Sequence, residues 1–383
     1  MAVDTWANHS SGAGELRFLD LSREGRRLKP ELMAAVESVI DSGIYLYGPQ
    51  IESLERELAA RTGARFAIAT ASGTAALEVL MRAFGIGPGA EVITTPASFY
   101  ASAKAIAATG ATAVFSDVDA DDYNIDPDKA AAKITGRTKA ILAVHLYGCP
   151  ARVKKLRAIA DRAGILLLED VAQALGASVD GRAAGAWGDG AALSFYPSKN
   201  VGALGDAGAV LTSEEAVARR AESLRFLGYT GQRDHFGPEG IPGRMDEIQA
   251  ALLLVKLRDA DSALERRLTL AGRYDRELPP ECVRPTAAAG VRDVRHLYVI
   301  RSRHRDAIAE SLRAAGVPTQ IHYRVPLHHQ PLFTAQKASL PVAEAWSREV
   351  LSLPLYPDLR DEEQGRVIDG VRCALREAKG GRS

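Results

Sequence analysis

The sequence predicts an α/β protein with two parts. The larger is an α/β/α sandwich built on a mostly parallel mixed sheet, and a smaller C-terminal α/β domain follows it. Three observations carry this reading. Short runs apolar on both faces recur at residues 66–69, 92–94, 113–115, 141–144 and 165–168. Helical stretches separate them, starting near Gly73, Ala101, Pro127 and Pro150. Strands without a polar face, alternating with helices, belong to a parallel sheet covered on both sides. Beyond one long helix the pattern changes, which marks a second domain.

Taken in order, the first dozen or so residues are rich in Ser, Gly and Asn, and residues 1–15 read as flexible. Structure is expected from near Phe18, and the tail from Ala378 reads as mobile again. Lys29-Pro30-Glu31 opens a helix with proline in its first turn; Met33, Val36 and Ile40 follow at helical spacing, and Gly43 closes it. A second amphipathic helix carries Ile51, Leu54 and Leu58 and stops at Gly63. After the five alternating strands, residues 191–195 and 207–211 form two more, too close together for a full helix between them. Helical patterns follow Ala216, then a Gly/Pro-rich loop over 236–243, then a long helix from Met245 to about Leu278. The remainder reads as a strand at 296–301, a helix to Ala315, a long Pro/His-rich loop and a final helix. The division falls in the long helix, with 16–255 as the large domain and 256–383 as the small one. No repeat at solenoid periods is visible.

Composition excludes several classes. The 48 basic and 48 acidic side chains cancel, which leaves no electrostatic footprint for nucleic acid. With 46% hydrophobic and 25% charged residues the chain is of globular, not disordered, type. Cys149, Cys282 and Cys373 are too few and too scattered for a disulfide framework or a metal site, and read as structural thiols of a reducing cytoplasm. The N-terminus has neither the basic nor the apolar region of a signal peptide, and no apolar run approaches the ~20 residues of a membrane span. The expectation is a soluble cytoplasmic protein with no membrane partner and no bound metal.

Ligands of open α/β sheets sit at the carboxyl ends of the strands. Three loops stand out there. In Ala71-Ser72-Gly73-Thr74-Ala75-Ala76, a strand opens into a helix whose N–H groups, with the Thr74 hydroxyl, can bind a phosphate; a simple Ser/Thr helix cap is the alternative. In Leu168-Glu169-Asp170-Val171-Ala172-Gln173, an apolar strand runs into two carboxylates, whose burial is costly without a positive partner. A protonated ring nitrogen would serve, or Asp170 caps the next helix. In Ser194-Phe195-Tyr196-Pro197-Ser198-Lys199-Asn200, a lysine lies between two apolar strands, hemmed in by Pro197 and Gly202. Desolvation there lowers an amine's pKa and makes it a usable nucleophile, although most lysines are surface groups.

A phosphate cradle, a carboxylate for a pyridinium nitrogen and a Schiff-base lysine are what a pyridoxal phosphate enzyme requires. The tracts ASGTAAL, GIGPGAEVITTP, VFSDVDADDYNIDP, VHLYG, LEDVAQALGA, SFYPSKNVGALGDAGAV, GRMDEIQAALLLVKL and HLYVIR…IHY give the chain its likeness. From about Phe18 to near residue 375 it resembles the DegT/DnrJ/StrS-type aminotransferases, fold-type-I pyridoxal phosphate enzymes acting mainly on keto groups of nucleotide-linked sugars. The resemblance implies Lys199 as the Schiff-base lysine and Asp170 as the carboxylate that keeps the pyridine nitrogen protonated. It implies Gln173 as a polar contact to the ring and Gly73, Thr74 and Ser194 as phosphate binders. Phe99 would stack on the ring face, with a core aromatic as the alternative. His322 and Tyr323, with Tyr196, Arg244 and Arg324, would border the substrate. The resemblance further implies a homodimer with its sites at the interface, the loop over 225–243 approaching the partner's cofactor.

Two positions depart from the family pattern. Pro242 stands where an Asn is common, and Arg324 where Pro is usual. Lys199 is present where the family's dehydratase branch has histidine, which favours transamination. The implied reaction moves an amino group from L-glutamate to a keto group of a nucleotide-linked sugar. The Lys199 tract with Gly205-Asp206 is similar to that of enzymes acting on dTDP-3-keto-6-deoxyhexoses. Alternatives are 4-keto nucleotide sugars, keto-cyclitols, a pyridoxal phosphate-dependent sugar dehydratase and a non-catalytic regulatory relative.

Overall fold

A computed structural model describes residues 16–336 and 338–380. The expected flexible segment 1–15 lies outside the described residues. Three helices come first: α1 (Leu21–Arg27), α2 (Lys29–Ser42) and α3 (Pro49–Thr62). Next, β1 (Phe66–Thr70), α4 (Gly73–Ala83), β2 (Glu91–Thr94), α5 (Tyr100–Ala108), β3 (Thr112–Phe115), α6 (Pro127–Ala131), β4 (Thr138–Val144), α7 (Val153–Ala163) and β5 (Leu166–Asp170) follow one another. The short strands β6 (Ser178–Val179) and β7 (Arg182–Ala183) precede β8 (Gly190–Ser194) and β9 (Gly208–Thr212). Then come α8 (Glu215–Arg225), α9 (Glu247–Glu277), β10 (Val291–Arg292), β11 (Tyr298–Arg301), α10 (Arg305–Ala314), α11 (Pro341–Glu349), β12 (Val350–Leu353) and α12 (Asp361–Gly380).

The main sheet has the order β1-β9-β8-β5-β4-β2-β3. The strands from β3 to β8 pair in parallel, and β9 is antiparallel to both β8 and β1. The expected mostly parallel mixed sheet is therefore present. Its one reversed strand follows from the chain: residues 195–207 contain no crossover helix, so the strand after them must return alongside β8. The register sets Thr70, Gly208 and Ser194 side by side at one end of the sheet. That is the end at which the sequence places its candidate site residues.

Local signals explain the N-terminal helices. Gly43 and Gly63 close α2 and α3 with φ of 65° and 73°, the left-handed conformation a β-carbon disfavours. The N-terminus of α3 is held from afar: the buried Glu247 carboxylate accepts the N–H groups of Gly48, Gln50 and Ile51 at 2.8–3.1 Å. Ile51, Leu54 and Leu58 are buried as their spacing predicts. On α2 the spacing misleads. Leu32 and Val39 are buried, Leu32 packs with Leu252 and Val255 of α9 and the half-buried Val36 lies against them, while Met33 and Ile40 are 58% and 56% exposed. Two apolar stripes lie one residue apart on this helix, and periodicity alone does not say which of them faces the core.

Helix α9 runs unbroken through position 256. Its first half places Ala250, Leu253 and Leu257 in the core beneath the main sheet. Its second half places Leu270, Ala271 and Tyr274 in a separate core with β11, β12, α10 and α12, which Leu16 also joins. The Pro/His-rich stretch expected as a loop contains α11 and β12, and β12 pairs antiparallel with β11. Both elements are short, and tertiary packing rather than a long periodic pattern makes them. The tail expected as mobile from Ala378 continues α12 to Gly380. No helix among the described residues is long and apolar enough to cross a membrane.

Leu54 is fully buried between α3 and the sheet. Leu54→Ala should cost about 2–5 kcal/mol of unfolding free energy, lowering the urea midpoint with the m-value unchanged.

Candidate functional site

The site is assembled where β1, β5 and β8 end. Helix α4 starts immediately after β1, and Ser72 Oγ caps it by accepting the Ala75 N–H at 3.1 Å. The cap reading and the anion-site reading of this loop are thus compatible, because one hydroxyl satisfies one N–H and leaves the rest of the first turn. Glycine is required at this junction. A β-carbon on Gly73 would stand 2.5 Å from Ser194 Cβ and 2.8 Å from its Oγ, and one on Gly208 would overlap the Ser72 carbonyl. The backbone at the start of α4 therefore lies directly on the ends of β8 and β9. Ser194 is half-buried against it, and Thr74 is exposed at the helix start. The Ala71 N–H donates to Gly243 O at 2.8 Å, which ties the 240–243 segment to the same corner.

The two carboxylates ending β5 have different surroundings, because successive strand residues point to opposite faces. Glu169 is fully buried. It accepts from His145 Nε2 at 2.9 Å and from the N–H groups of Gly185, Trp187 and Gly188 at 2.9, 2.8 and 2.6 Å. His145 Nδ1 accepts the Ala151 N–H, so Nε2 carries the proton donated to Glu169. Burial alone would raise the Glu169 pKa, but these bonds outweigh it and hold the carboxyl below its ordinary value. Asp170 faces the other way. Its Oδ2 accepts from Ser102 Oγ at 2.7 Å and its Oδ1 from the Ala172 N–H at 3.1 Å. Ser102 is in turn bonded to Ser98 at 2.8 Å.

Lys199 sits in the turn between β8 and β9. The turn is fastened by Lys199 N–H to Tyr196 O at 2.8 Å and Ala203 N–H to Phe195 O at 2.7 Å. Burial brings the Lys199 amine down to about 8, with the Asp170 charge opposing the shift. Burial and the Lys199 charge take His322 down to about 3. Burial, Lys199, Arg267 and His322 likewise depress His296 well below its ordinary value. These are the neutral imidazoles of a site whose cation is the lysine.

A segment from the C-terminal unit closes the third side. Gln173 Nε2 donates to the Tyr323 hydroxyl at 3.0 Å, and Gln173 Oε1 accepts the Tyr147 N–H at 2.6 Å. The Tyr147 hydroxyl donates to His322 O, and His322 Nδ1 pairs with Ser352 Oγ at 2.8 Å. The Phe99 and Tyr323 ring centroids are 6.1 Å apart. Phe99 is 56% exposed, so it is not a core aromatic. Lys199, Asp170, Gln173, Phe99, His322 and Tyr323 are thus gathered, with Gly73, Thr74 and Ser194 at one side.

Three expected substrate residues are not drawn into this bonded group. Arg244 stacks over Phe226, 4.8 Å from the ring centroid, and lies 5.8 Å from that of Tyr47. Tyr196 and Arg324 are exposed. Pro242 is exposed and bridges to Phe226 in an antiparallel pairing. Sequence reasoning passed over Ser102, Tyr147, His145 and the pair His296 Nδ1 to Asn200 Oδ1 at 3.0 Å. The VHLYG tract carries two of these residues, yet nothing in it says which side chain reaches Glu169 and which reaches His322.

The family model of the DegT/DnrJ/EryC1/StrS aminotransferase family matches residues 26–372. The chain belongs to that family. It is 42% identical over 360 residues to the dTDP-3-amino-3,4,6-trideoxy-alpha-D-glucose transaminase of Streptomyces venezuelae, covering 93% of this chain and 95% of that one. It is 38% identical over 347 residues to the UDP-2-acetamido-2-deoxy-3-oxo-D-glucuronate aminotransferase of Pseudomonas aeruginosa, covering 90% and 96%. The solved structure of S. venezuelae DesV in complex with a ketimine intermediate matches with a TM-score of 0.90 at 42% identity, over 94% of this chain and 98% of that one.

This aminotransferase is a pyridoxal 5′-phosphate enzyme of the nucleotide-sugar kind. Its residues fit that cofactor. The close approach of Gly73 to Ser194 sets the first-turn N–H groups of α4 beside the Ser194 hydroxyl, donors suited to a phosphate. Asp170 is a buried carboxylate that can pair with a cationic ring nitrogen, and Lys199 is an amine whose burial brings it down to about 8.

Glu169→Ala would leave His145 and three N–H groups without their acceptor and should cost about 3–5 kcal/mol at neutral pH. The Glu169 carboxyl is held below its ordinary 4.5, so its contribution is complete above that value and fades as pH falls through the folded-state value. Urea unfolding of wild type and variant across this range should therefore converge toward acid.

Proposed function

We propose that the enzyme transfers an amino group from L-glutamate to the 3-keto carbon of a dTDP-linked 6-deoxyhexose, acting as a homodimer in the cytoplasm. The observation that carries the amino-transfer part of the reading is the placement of Lys199, in the tight turn between β8 and β9, at the sheet end that also holds the Asp170 carboxylate and the start of α4. Bound pyridoxal phosphate supplies an electron sink for the carbon that loses its proton. Lys199 would hold the cofactor and, as a free amine, would carry the proton between the donor's α-carbon and the cofactor in one half-reaction and between the cofactor and the acceptor carbon in the other. A pKa near 8 suits both directions of that transfer at neutral pH. Asp170, oriented by Ser102 and the Ala172 N–H, holds positive charge on the ring nitrogen.

The first-turn N–H groups of α4, with Gly73, Thr74 and Ser194, take the phosphate. Gln173, pinned between Tyr147 and Tyr323, meets the ring edge, and Phe99 covers its face. His322, Tyr323, Tyr196, Arg244 and Arg324 border the sugar nucleotide. The Gly205-Asp206 tract and the identity to a dTDP-3-amino sugar transaminase support the 3-keto, dTDP-linked acceptor. The apolar surface formed by Met33, Ile40, Ile44, Tyr45, Leu46 and Tyr47 supports association of two copies.

The test follows amino transfer from glutamate to a panel of 3-keto and 4-keto nucleotide sugars and keto-cyclitols, read by loss of the amine-loaded cofactor's absorbance and by product mass. Nitrogen should reach the dTDP-3-keto-6-deoxyhexose with the highest kcat/KM, and Lys199→Ala should lose at least ~10³-fold in turnover. Preference for a 4-keto or cyclitol acceptor, or turnover that survives Lys199→Ala, would overturn it.

A further inference from the structure

The Pro/His-rich segment holds a cluster that the transamination site does not use. His328 and His329 lie on the turn Leu327–His329, and Glu344 lies on α11. His328 is buried, His329 is half exposed, and Glu344 lies between these extremes. His328 Nε2 is 3.2 Å from Glu344 Oε1, and His329 Nε2 is 4.0 Å from the same oxygen. One donor atom from each of the three falls within 4.8 Å of the others.

Donors around a tetrahedral zinc ion, bonded at 2.0–2.2 Å, sit ~3.3 Å apart. The cluster is therefore up to ~1.5 Å wider than an occupied site, and the exposed His329 ring is the member free to turn inward on binding. His328 Nδ1 is buried with no hydrogen-bond partner among the described residues. The contact to Glu344 thus leaves one nitrogen of that ring outside the protein's own hydrogen bonding.

The surroundings are already fixed. Asp117 accepts the N–H groups of Val342 and Ala343 at 3.1 and 2.9 Å, which holds the start of α11. Glu344 Oε1 also accepts the Leu340 N–H at 3.0 Å. On the other side, the Leu327 N–H donates to Pro96 O at 2.9 Å. Supported ligands on two anchored elements are what a metal site needs beyond its donor atoms.

We propose that His328, His329 and Glu344 bind one divalent transition-metal ion, zinc being the best match to two imidazoles and a carboxylate with water in the fourth position. The ion clamps the segment that follows His322 and Tyr323 onto α11.

The experiment uses the cofactor-loaded protein, stripped with EDTA and desalted, then titrated with zinc chloride by calorimetry and followed by thermal unfolding. One saturable ion per chain with a micromolar Kd and a rise in Tm is expected. His329→Ala changes an exposed side chain outside the catalytic group, so its metal-free Tm should match wild type. It should bind zinc at least tenfold more weakly and lose the Tm rise, whereas His329→Cys, which restores a ligand, should recover both. If His329→Ala folds poorly, His329→Asn makes the same comparison. Absence of saturable 1:1 binding, or equal affinity in wild type and the Ala or Asn variant, would overturn the proposal.

Discussion

A fully buried carboxylate is the constraint on which the rest of this structure depends. Glu169 lies at the end of β5 with no exposed atom, and taking such a charge out of water costs several kcal/mol unless every lone pair is met. His145 and three backbone N–H groups from residues 185–188 meet it. The requirement fixes how the chain turns from β7 into β8 and where β4 ends relative to β5. Strand alternation then aims the neighbouring Asp170 at the opposite face, where Ser102 receives it. The end of the sheet that carries Asp170 is aligned by a neighbouring carboxylate on its opposite face.

The second constraint is steric. The chain leaves β8, makes a turn without a helix and returns as β9, so Lys199 is held in a tight connection rather than on a mobile surface loop. The same return lays Gly208 against the Ser72 carbonyl and Ser194 against Gly73. Small residues at these points let the start of α4, with its outward N–H groups, approach within a few ångströms of the lysine turn. A zero net charge is no obstacle to anionic ligands, because helix N–H groups and hydroxyls meet them locally.

The C-terminal unit completes the arrangement by hydrogen bonding as well as by a shared core, in which Leu327, Phe333 and Trp346 pack with Phe115, Tyr123 and Tyr147. Tyr147 is the hinge of this contact: its N–H binds Gln173, its hydroxyl binds the His322 carbonyl, and Gln173 binds Tyr323. Residues separated by some 150 positions in sequence are thereby locked into one network, and low local dielectric makes each of its bonds stronger than in water. The segment continues from Tyr323 to the His328–Glu344 contact, so its two ends rest on different parts of the molecule.

By itself the sequence determined the alternation of strands and helices, the reversed strand's unusual connection, and the residue types of the site. Apolar runs, glycine closures and carboxylates at strand ends are local signals, and local signals survive without coordinates. Lys199, Asp170 and Gly73 were legible for that reason, and Gln173 through the family resemblance alone. Only the tertiary structure decided which stripe of α2 faces the core, that α11 and β12 occupy a stretch read as loop, and which partners hold Asp170 and His322. Ser102, Tyr147 and Ser352 carry no signature of their own; each matters because a distant element places an acceptor within 3 Å or so of it, and chain spacing does not encode that distance. Arg244 makes the same point: the sequence shows its charge, while only the fold shows that its guanidinium lies over Phe226 and near Tyr47, a contact set by the distance and orientation of rings far away in the chain.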